Sequence, residues 1–434
     1  MKNSRDIFLG IDLGTSTIKA VVARILPDNT LEFLGNGEMP SLSMLKGEPD
    51  QPGIVIEQIF RAIQEAIRTA ALREFPNRIA LALSGGYMET KSVSVSIDIP
   101  NSLPITEADC ITAGRSVYGK LQPAPGQPSI VPPGKFPLST VVTRNFRLAD
   151  GRMLFSPIGQ ISSTLTCETL YFALDYERYN RIVAMLNTAL DGRHIVYTVP
   201  VPLAISAALC PPLTVEDNLP LPLLIDLGAG VTSLSMPTPG GYLMAEQIGI
   251  GCDHLANDIN LVFGINNIKT ARNIIQELAN YRCTAVAAHD GDARMLTIGF
   301  PDGNTMDLSA NDIETVIEVR LKELFQIIGQ RLEANQAYGW LDNEILLSGD
   351  GALIPRICEL AGGILHRKVR VGSPYQVDAT RFFDTLPPRY TTVCGLLRAA
   401  LRMQMLKEEK EQHGTVLDRV GRGLRDVWQA IFEW

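Results

Sequence analysis

Two short segments far apart in the chain have nearly the same sequence, and this repetition constrains the fold more than any other feature. Residues 8–16 read FLGIDLGTS, and residues 223–232 read LLIDLGAGVT. Each is an apolar, β-prone run that ends in Asp-Leu-Gly and continues into small residues, as a buried strand entering a tight hairpin does. Glycine allows positive φ and lets backbone N–H groups approach an anion closely. The repeat predicts two lobes whose hairpins bind phosphate groups from both sides of a cleft.

An aspartate stands at the end of both repeated strands, Asp12 in the first and Asp226 in the second. Because Mg²⁺ prefers oxygen ligands and keeps several of its waters, we expect these carboxylates to hold it through bound water. Lys19 follows the first hairpin, where it is either a phosphate contact or a solvated lysine on the outgoing strand. The two hairpins together predict a site for Mg²⁺ and phosphate groups.

The composition narrows the class of protein. With 434 residues, 46% of them hydrophobic, the chain is long enough for two lobes or about three domains. Its net charge of −8 argues against a general nucleic-acid binder, which carries a basic face. The 7 cysteines are scattered without a Cys-x-x-Cys pair, as expected of reduced thiols in the cytosol. The N-terminus lacks the apolar core of a signal peptide.

The longest uncharged stretch, at 195–215, has the length of a membrane span. It contains Pro200, Pro202, Pro211 and Pro212, which would break a spanning helix. We therefore expect a strand followed by a short buried helix, and no segment of the chain that crosses a membrane.

The periodicity of apolar residues predicts most other elements. We expect strands at 17–24, 78–83, 91–97, 194–199 and 344–347, and helices at 54–74, 106–118, 176–190 and 312–336. Thr106 is predicted to cap the second of these helices, and Asn311 or Asp312 the last. The proline-rich stretch at 123–137 predicts a surface loop, and 268–311 a more polar region with short strands.

The order of these parts resembles the actin-type ATPase fold. Five motifs follow one another as that resemblance requires: a first phosphate hairpin, a hinge at Pro202-Leu-Ala, a second phosphate hairpin, an adenosine loop, and a second hinge at Gly395. The resemblance implies an α/β protein with a two-lobed actin-like ATPase fold that binds ATP and Mg²⁺. It assigns the nucleotide to Gly14, Thr15, Ser16, Lys19, Gly228, Ala229, Gly230, Val231, Thr232, Gly349, Asp350, Gly351 and Ala352, and the metal to Asp12 and Asp226 through water.

Four further segments resemble the bacterial division protein FtsA family, over most of the chain. They are ITEAD at 105–109, DG at 150–151 with SPIG at 156–159, GCDHLANDI at 251–259, and IEVRLKE at 317–323. The resemblance implies a small α+β module inserted in the first lobe. It also implies a filament of this protein on the inner face of the cell membrane, at the division site. The expected partners are the C-terminal peptide of FtsZ, membrane lipids, other division proteins and further copies of the chain.

The same resemblance implies the domain boundaries. The first lobe would comprise 1–86, 162–202 and 386–402, with the inserted module at 87–161. The second lobe would comprise 203–240 and 312–385, with a smaller subdomain at 241–311. A charged linker at 403–414 and an amphipathic helix at 415–434 would follow.

The chain departs from the family pattern in the part that would contact the nucleoside. Cys252 replaces a glycine, Ala256 a threonine and Asp350 a glycine, while Arg272 and Ile275 stand where a glutamate and a lysine are expected. We therefore expect the phosphate contacts of the family to be kept in this chain more fully than its adenosine contacts. We expect a divergent member of the family.

Rapid hydrolysis needs a side chain that orients the attacking water, and relatives often place a Glu or Gln beside the first hinge. The stretch at 202–210 contains neither, and Ser206 is a weak substitute. We therefore expect at most slow Mg²⁺-dependent ATP turnover, with ATP acting mainly to close the lobes.

The C-terminal segment has one apolar stripe at helical spacing, interrupted by arginines on the other faces. We predict that this segment lies in the membrane interface, where bulky aromatic residues are favoured. The alternative is a helix that packs on its own protein or on a neighbour. The predicted membrane-contacting residues are Leu417, Val420, Leu424, Val427, Trp428, Ile431, Phe432 and Trp434.

Two other functions remain open at this stage. A small-molecule kinase of the same superfamily would need a catalytic base facing a substrate cleft, and no motif in the chain supplies one. A PilM-like scaffold of a pilus or secretion system would share the ATPase core and bind a partner's tail peptide. The insert motifs and the C-terminal segment favour the FtsA-like interpretation over both.

Overall fold

A computed structural model describes residues 7–41, 43–45, 48–100, 103–121, 130–211, 221–239, 241–287 and 294–412. The strands are β1 (Ile7–Leu13), β2 (Thr17–Ile25), β3 (Leu31–Pro40), β4 (Met44–Leu45), β5 (Glu48–Pro49), β6 (Arg78–Leu83), β7 (Met88–Asp98), β8 (Lys135–Leu148), β9 (Met153–Leu154), β10 (Thr164–Asp175), β11 (Tyr197–Pro200), β12 (Leu221–Leu227), β13 (Thr232–Thr238), β14 (Gly241–Ile248), β15 (Met295–Gly299), β16 (Thr305–Ser309), β17 (Leu341–Ser348), β18 (Lys368–Val371) and β19 (Val377–Asp378). The helices are α1 (Pro52–Thr69), α2 (Glu107–Leu121), α3 (Tyr176–Ala189), α4 (Val201–Leu209), α5 (Cys252–Val262), α6 (Ile268–Gln276), α7 (Ala310–Ala334), α8 (Ile357–Leu365) and α9 (Thr391–Gln412).

The two repeated segments form the centres of two different sheets. In the first lobe the strand order is β11-β6-β1-β2-β3-β19, and in the second it is β14-β13-β12-β17-β18. Strand β1 pairs with β2 antiparallel and with β6 parallel, just as β12 pairs with β13 antiparallel and with β17 parallel. The two-lobed α/β fold expected from the repeat is confirmed.

The first lobe is held together by close packing of helices on its sheet. Helix α1 lies on β3, where a Cβ on Gly35 would come within 1.9 Å of the Ala66 carbonyl oxygen, and one on Gly37 within 2.0 Å of the Ala62 oxygen. Only glycine permits that approach. Helix α9 packs against β1, β6 and β11 and buries both its own apolar face and theirs.

The inserted module has its own sheet, with the order β7-β10-β8-β9, and helix α2 packs against it. Thr106 caps α2 as predicted, since its Oγ1 accepts from Asp109 N at 3.3 Å and its N–H donates to Asp109 Oδ2 at 2.8 Å. Because β10 belongs to this sheet, the module extends to Asp175 and not only to residue 161. The proline-rich stretch overlaps the start of β8, and residues 122–129 lie outside the described part.

The module also contacts the second lobe along the free edge of β14. Thr90 Oγ1 donates to the Ala245 oxygen at 2.6 Å, and Arg144 Nε donates to the Leu243 oxygen at 3.2 Å. An edge strand exposes alternate carbonyl groups, and here side chains of the module occupy two of them.

Three details differ from the sequence-based expectations. Residues 375–385 belong to the first lobe, because β19 pairs with β3 and the rings of Phe382 and Phe383 pack against the first-lobe core. Helix α7 is capped by Ser309, whose Oγ accepts from Asp312 N at 3.3 Å, so the prediction of Asn311 or Asp312 was wrong. The polar region also contains α6, which was not predicted.

The C-terminal part of the chain is described only up to residue 412. Residues 403–412, predicted as a linker, continue helix α9. The predicted amphipathic helix at 415–434, with all of its predicted membrane-contacting residues, lies outside the described residues. None of the helices within the described ranges is long and apolar enough to cross a lipid bilayer.

Candidate nucleotide-binding site

The two hairpin turns face each other across a narrow pocket of about 70 Å³ between the lobes. Most of the residues predicted to contact phosphate or metal line this pocket. They are Asp12, Gly14, Thr15, Ser16, Lys19, Asp226, Gly228, Ala229, Gly230, Val231, Gly349 and Asp350. Three predicted residues do not line it. Thr232 is buried with its hydroxyl donating to the Ile250 oxygen, Ala352 packs in the second-lobe core, and Gly351 lines an adjoining cavity instead.

Glycines in the turns leave room for backbone atoms to come close together around this pocket. A Cβ on Gly14 would lie 2.4 Å from the Thr17 oxygen, and one on Gly228 would lie 2.9 Å from the Val231 oxygen. Gly349 has a φ of 81°, and a Cβ there would lie 2.6 Å from the Leu227 oxygen. Tight turns that only glycine can form are a suitable cradle for phosphate.

Lys19 is buried and forms an ion pair with Asp12, with 3.2 Å between Nζ and Oδ2. The alternative that it is a solvated surface lysine is therefore wrong. Burial opposes its charged form, but the carboxylates of Asp12, Asp350 and Glu38 outweigh burial and raise the pKa of Lys19 above its ordinary value. The ammonium group is thus a permanent positive charge at the floor of the pocket.

Asp226 lies opposite, buried, and accepts a hydrogen bond from Ser348 Oγ at 2.7 Å. Burial raises the pKa of Asp226 to about 6. The hydrogen bond from Ser348 and the positive charge of Lys19 lower this pKa, whereas the negative charges of Asp12 and Asp350 raise it further. Carboxylates that repel each other in a partly dry pocket suit a divalent cation with its waters. Within the described ranges no cluster of three or more His, Cys, Asp or Glu side chains could ligate a metal directly.

A second, larger cavity of about 830 Å³ joins the phosphate pocket and shares Ser16, Thr17, Ala229, Asp350 and Arg389 with it. This volume lies in the range of cavities that hold small ligands. Gly351 lines this cavity. All five residues that depart from the family pattern also line it, namely Cys252, Ala256, Arg272, Ile275 and Asp350.

The charged departures are locally balanced. Arg272 donates from Nε and Nη2 to the two carboxylate oxygens of Asp253, both at 2.8 Å. Burial, with the negative charges of Asp350 and Asp253, raises the pKa of the Cys252 thiol, which therefore stays neutral. The larger cavity thus has a mainly apolar lining that includes one hydrogen-bonded ion pair, Arg272–Asp253.

Gln247 links the two lobes beside the phosphate pocket, and sequence reasoning missed it. Its Oε1 accepts from Gly85 N at 3.1 Å, and its Nε2 donates to Ser84 Oγ and Ser233 Oγ, both at 3.0 Å. Ser84 lines the pocket, and Ser233 pairs with Asp226 across the hairpin. No local pattern could have revealed this role, because it depends on the register between three strands and the other lobe.

Arg389 and Glu38 were also missed, although both line the larger cavity. Arg389 precedes Tyr390 at the start of the second hinge, and Glu38 lies near the end of β3. A charged residue directly before the hinge helix was the one available signal. The two hinges themselves meet, since a Cβ on Gly395 would lie 1.6 Å from the Ala204 oxygen.

Comparison with known proteins gives a consistent result. No family model matches the chain. The cell division protein FtsA of Borreliella burgdorferi is 25% identical over 402 residues, which cover 91% of both chains. The FtsA proteins of Pseudomonas aeruginosa and Bacillus subtilis are 24% and 23% identical and cover 92% and 94% of this chain, and 91% and 86% of their own.

Among solved structures, a PilM–PilN type IV pilus biogenesis complex is similar with a TM-score of 0.61 at 16% identity, covering 92% of this chain and 99% of the other. MreB5 of Spiroplasma citri bound to ADP is similar with a TM-score of 0.50 at 14% identity, covering 95% and 100%. At these identities the likeness concerns the fold. The fold and the paired hairpins thus define a protein with an actin-like fold.

The sequence relatives are more specific than the fold. Over more than nine-tenths of its length the chain matches FtsA proteins of several bacteria. The chain is thus similar to FtsA cell division proteins along nearly its whole length, at about a quarter identity or less.

Proposed function

We propose that this protein binds ATP, polymerises on the cytoplasmic face of the cell membrane, and anchors FtsZ filaments there. The observation that carries the proposal is the pair of matched hairpins around one pocket in a chain that aligns with FtsA proteins along nearly its whole length. Later division proteins would be recruited to the same assembly.

The chemistry of the cleft would be binding rather than fast turnover. The N–H groups of both hairpins would hold the phosphate chain, and Asp12 and Asp226 would hold Mg²⁺ through water. Mg²⁺ supplies neutralisation of the phosphate charge when it is bound. Helix α4 has no Glu or Gln, and the amide of Gln247 is already hydrogen-bonded on both sides. ATP would therefore act as a clamp between the lobes.

Two surfaces are proposed for the protein partners. The C-terminal peptide of FtsZ would bind the smaller subdomain of the second lobe, around 241–311. The inserted module would serve contacts within the filament and contacts to downstream division proteins. Binding of an FtsZ C-terminal peptide to the purified protein, measured by pull-down and by fluorescence anisotropy, tests this assignment. Nucleotide binding without any binding of the FtsZ peptide would contradict this assignment.

The same measurement separates the alternatives left open by the sequence. The PilM–PilN complex is similar in fold, and fold similarity alone does not favour a pilus function. A preference for a pilus-type tail peptide over the FtsZ peptide would reverse our assignment. Phosphorylation of an added sugar or acetate would instead favour a small-molecule kinase.

Membrane attachment is proposed for residues 415–434. Asp418, Asp426 and Glu433 offset the arginines there, so binding would rely on apolar burial more than on anionic lipid. Co-sedimentation with vesicles should succeed for the full chain and fail for a chain ending at residue 414, both for neutral and for anionic lipid. Equal sedimentation of the two chains would end the proposal of a membrane anchor.

A further inference from the structure

Arg389 differs from the other arginines around the cleft in its bonding. Arg178 and Arg272 each donate two N–H groups to one carboxylate. The Nε of Arg389 is buried and lies 3.2 Å from Glu38 Oε1, yet it has no hydrogen-bond partner. Its Nη1 lies 3.7 Å from Asp350 Oδ1, which is beyond hydrogen-bond distance. Within the described residues this guanidinium is held by two ion pairs and by the ring of Tyr390, with 6.0 Å from its Cζ to the ring centre, and its terminal N–H groups make no hydrogen bond.

The position of Arg389 selects the ligand. It lines both the phosphate pocket and the larger cavity, so it lies where the two join. A nucleotide that places its phosphates between the hairpins and its nucleoside in the larger cavity must pass this point. Guanidinium groups bind phosphate oxygens with two parallel hydrogen bonds, which is stronger than a non-hydrogen-bonded ion pair.

The charges of the pocket also require a further cation. Asp12, Asp226 and Asp350 all line it, and Lys19 is engaged by Asp12. Mg²⁺ held by Asp12 and Asp226 would offset part of this charge, and a positive side chain near Asp350 would offset the repulsion between Asp350 and the phosphate chain. Arg389 is the arginine that lines the pocket in the described part of the chain.

The contact of Arg389 with Asp350 spans the cleft. Asp350 lines both the phosphate pocket and the larger cavity. Asp350 belongs to the second lobe and Arg389 to the first, so their contact joins the lobes across the cleft.

We propose that Arg389 contacts the phosphate chain of the bound nucleotide, and that Asp350 competes with the nucleotide for the Arg389 guanidinium. This inference rests on the proposed binding of ATP. In the free protein Asp350 and Glu38 hold the guanidinium at the junction. On binding, the guanidinium exchanges its weak contact with Asp350 for hydrogen bonds to phosphate.

The test compares ATP, ADP and adenosine as competitors of a fluorescent nucleotide, with Mg²⁺ present. Arg389→Gln should weaken ATP and ADP by roughly tenfold to a hundredfold, the range for hydrogen bonds to charged groups, and leave adenosine unchanged. Arg61→Gln removes the same charge from an exposed site on α1 and should leave all three affinities unchanged. Arg389→Lys should recover part of the loss, because charge remains without the paired donors.

The variant Asp350→Asn tests whether Arg389 contacts phosphate or has only a structural role. It removes the competing carboxylate, so ATP and ADP should bind as tightly as to the wild type or more tightly, and this arm holds even if Arg389→Gln fails to fold. Equal weakening by Asp350→Asn and Arg389→Gln would show that the ion pair matters only to the fold, and would overturn the inference. Unchanged ATP affinity in Arg389→Gln, or an equal loss for adenosine, would overturn it too. If the wild type binds no nucleotide, both this inference and the proposed function fail.

Discussion

At the scale of single residues, the cleft contains a buried carboxyl group whose ionisation lowers the stability of the folded protein. Asp226 is the main example, because burial raises its pKa from 3.8 to about 6 without a cation in direct contact. In the absence of Mg²⁺ and nucleotide, the folded protein therefore binds a proton that the unfolded chain releases. The carboxyl group favours folding at pH values below its ordinary pKa, and this contribution is lost as the pH rises through about 6.

We predict that Asp226→Asn stabilises the ligand-free protein in a pH-dependent way. Its free energy of unfolding minus that of the wild type should increase by up to about 3 kcal/mol between pH 4 and pH 7. Urea denaturation in the presence of EDTA measures the difference. The matched control is Asp191→Asn, because that carboxylate is 91% exposed, and its difference should stay flat. A flat difference for Asp226→Asn as well would contradict the desolvation of this group.

The residues of the site were predictable to different degrees. Asp12 and Asp226 follow their strands directly in sequence, so a local pattern reveals them. Arg389 and Glu38 meet only because β3 and the second hinge pack together, and no local pattern contains that information. Whether Lys19 was solvated or buried depended on how deep the first hairpin lies below the second lobe, which a single sequence does not reveal.

At the scale of secondary-structure elements, strand β14 connects the second lobe to the inserted module through hydrogen bonds. Arg144 donates to the Leu243 oxygen of β14 at 3.2 Å, and to the backbone and side-chain oxygens of Asn335, at the end of α7, at 3.1 and 3.2 Å. These bonds are half-buried and join segments that are distant in sequence. The module is therefore attached to both lobes and not to the first alone.

We predict that Arg144→Ala lowers the free energy of unfolding by about 2 kcal/mol, since it removes charged, half-buried hydrogen bonds. Arg147→Ala is the matched control. It lies on the same strand and pairs with the same Glu168, but it is more exposed and makes no bond to the second lobe in the described contacts. Its effect should stay below about 1 kcal/mol. Equal effects of the two variants in chemical denaturation would show that the bonds to the second lobe are not what stabilises the module.

Elements with strong periodicity were predicted well, and short or context-dependent ones were not. Strand β6 has the predicted limits, and α1 begins and ends within a few residues of its expected range. Strand β19 has two residues and exists only by pairing with β3, so no pattern within it could reveal it. Helix α6 buries only Thr270, Ala271 and Ile274, which left its apolar stripe too short to recognise.

At the scale of the whole molecule, two buried helices cross between the lobes. Helix α4 leaves the first hinge and α9 leaves the second, and they touch where Gly395 faces the Ala204 oxygen. No side chain fits between them, so the two hinges are in direct backbone contact. This backbone contact brings the two hinges together at one point.

We predict that Gly395→Ala lowers the free energy of unfolding by about 3 kcal/mol or more, because the added methyl group must push the two helices apart. The control is Gly119→Ala, also in a helix, where a Cβ would meet no atom within 4 Å. That change should stabilise the protein by about 0.5–1 kcal/mol through helix propensity. Thermal unfolding of both variants decides the matter, and two similar melting curves would contradict the close approach.

The first lobe is built from segments that are far apart in the chain, and this affects how a new chain folds during its synthesis. Strand β1 lies in the middle of its sheet, yet the face beside Gly10 is covered by Val393 and Leu397 of α9. All strands of the second-lobe sheet instead come from one continuous stretch, 221–371. Chains emerge from the ribosome N-terminus first, so we expect the lobe that is made first to be completed last. Until α9 appears, its apolar sheet face stays uncovered, and chaperones would have most to protect there.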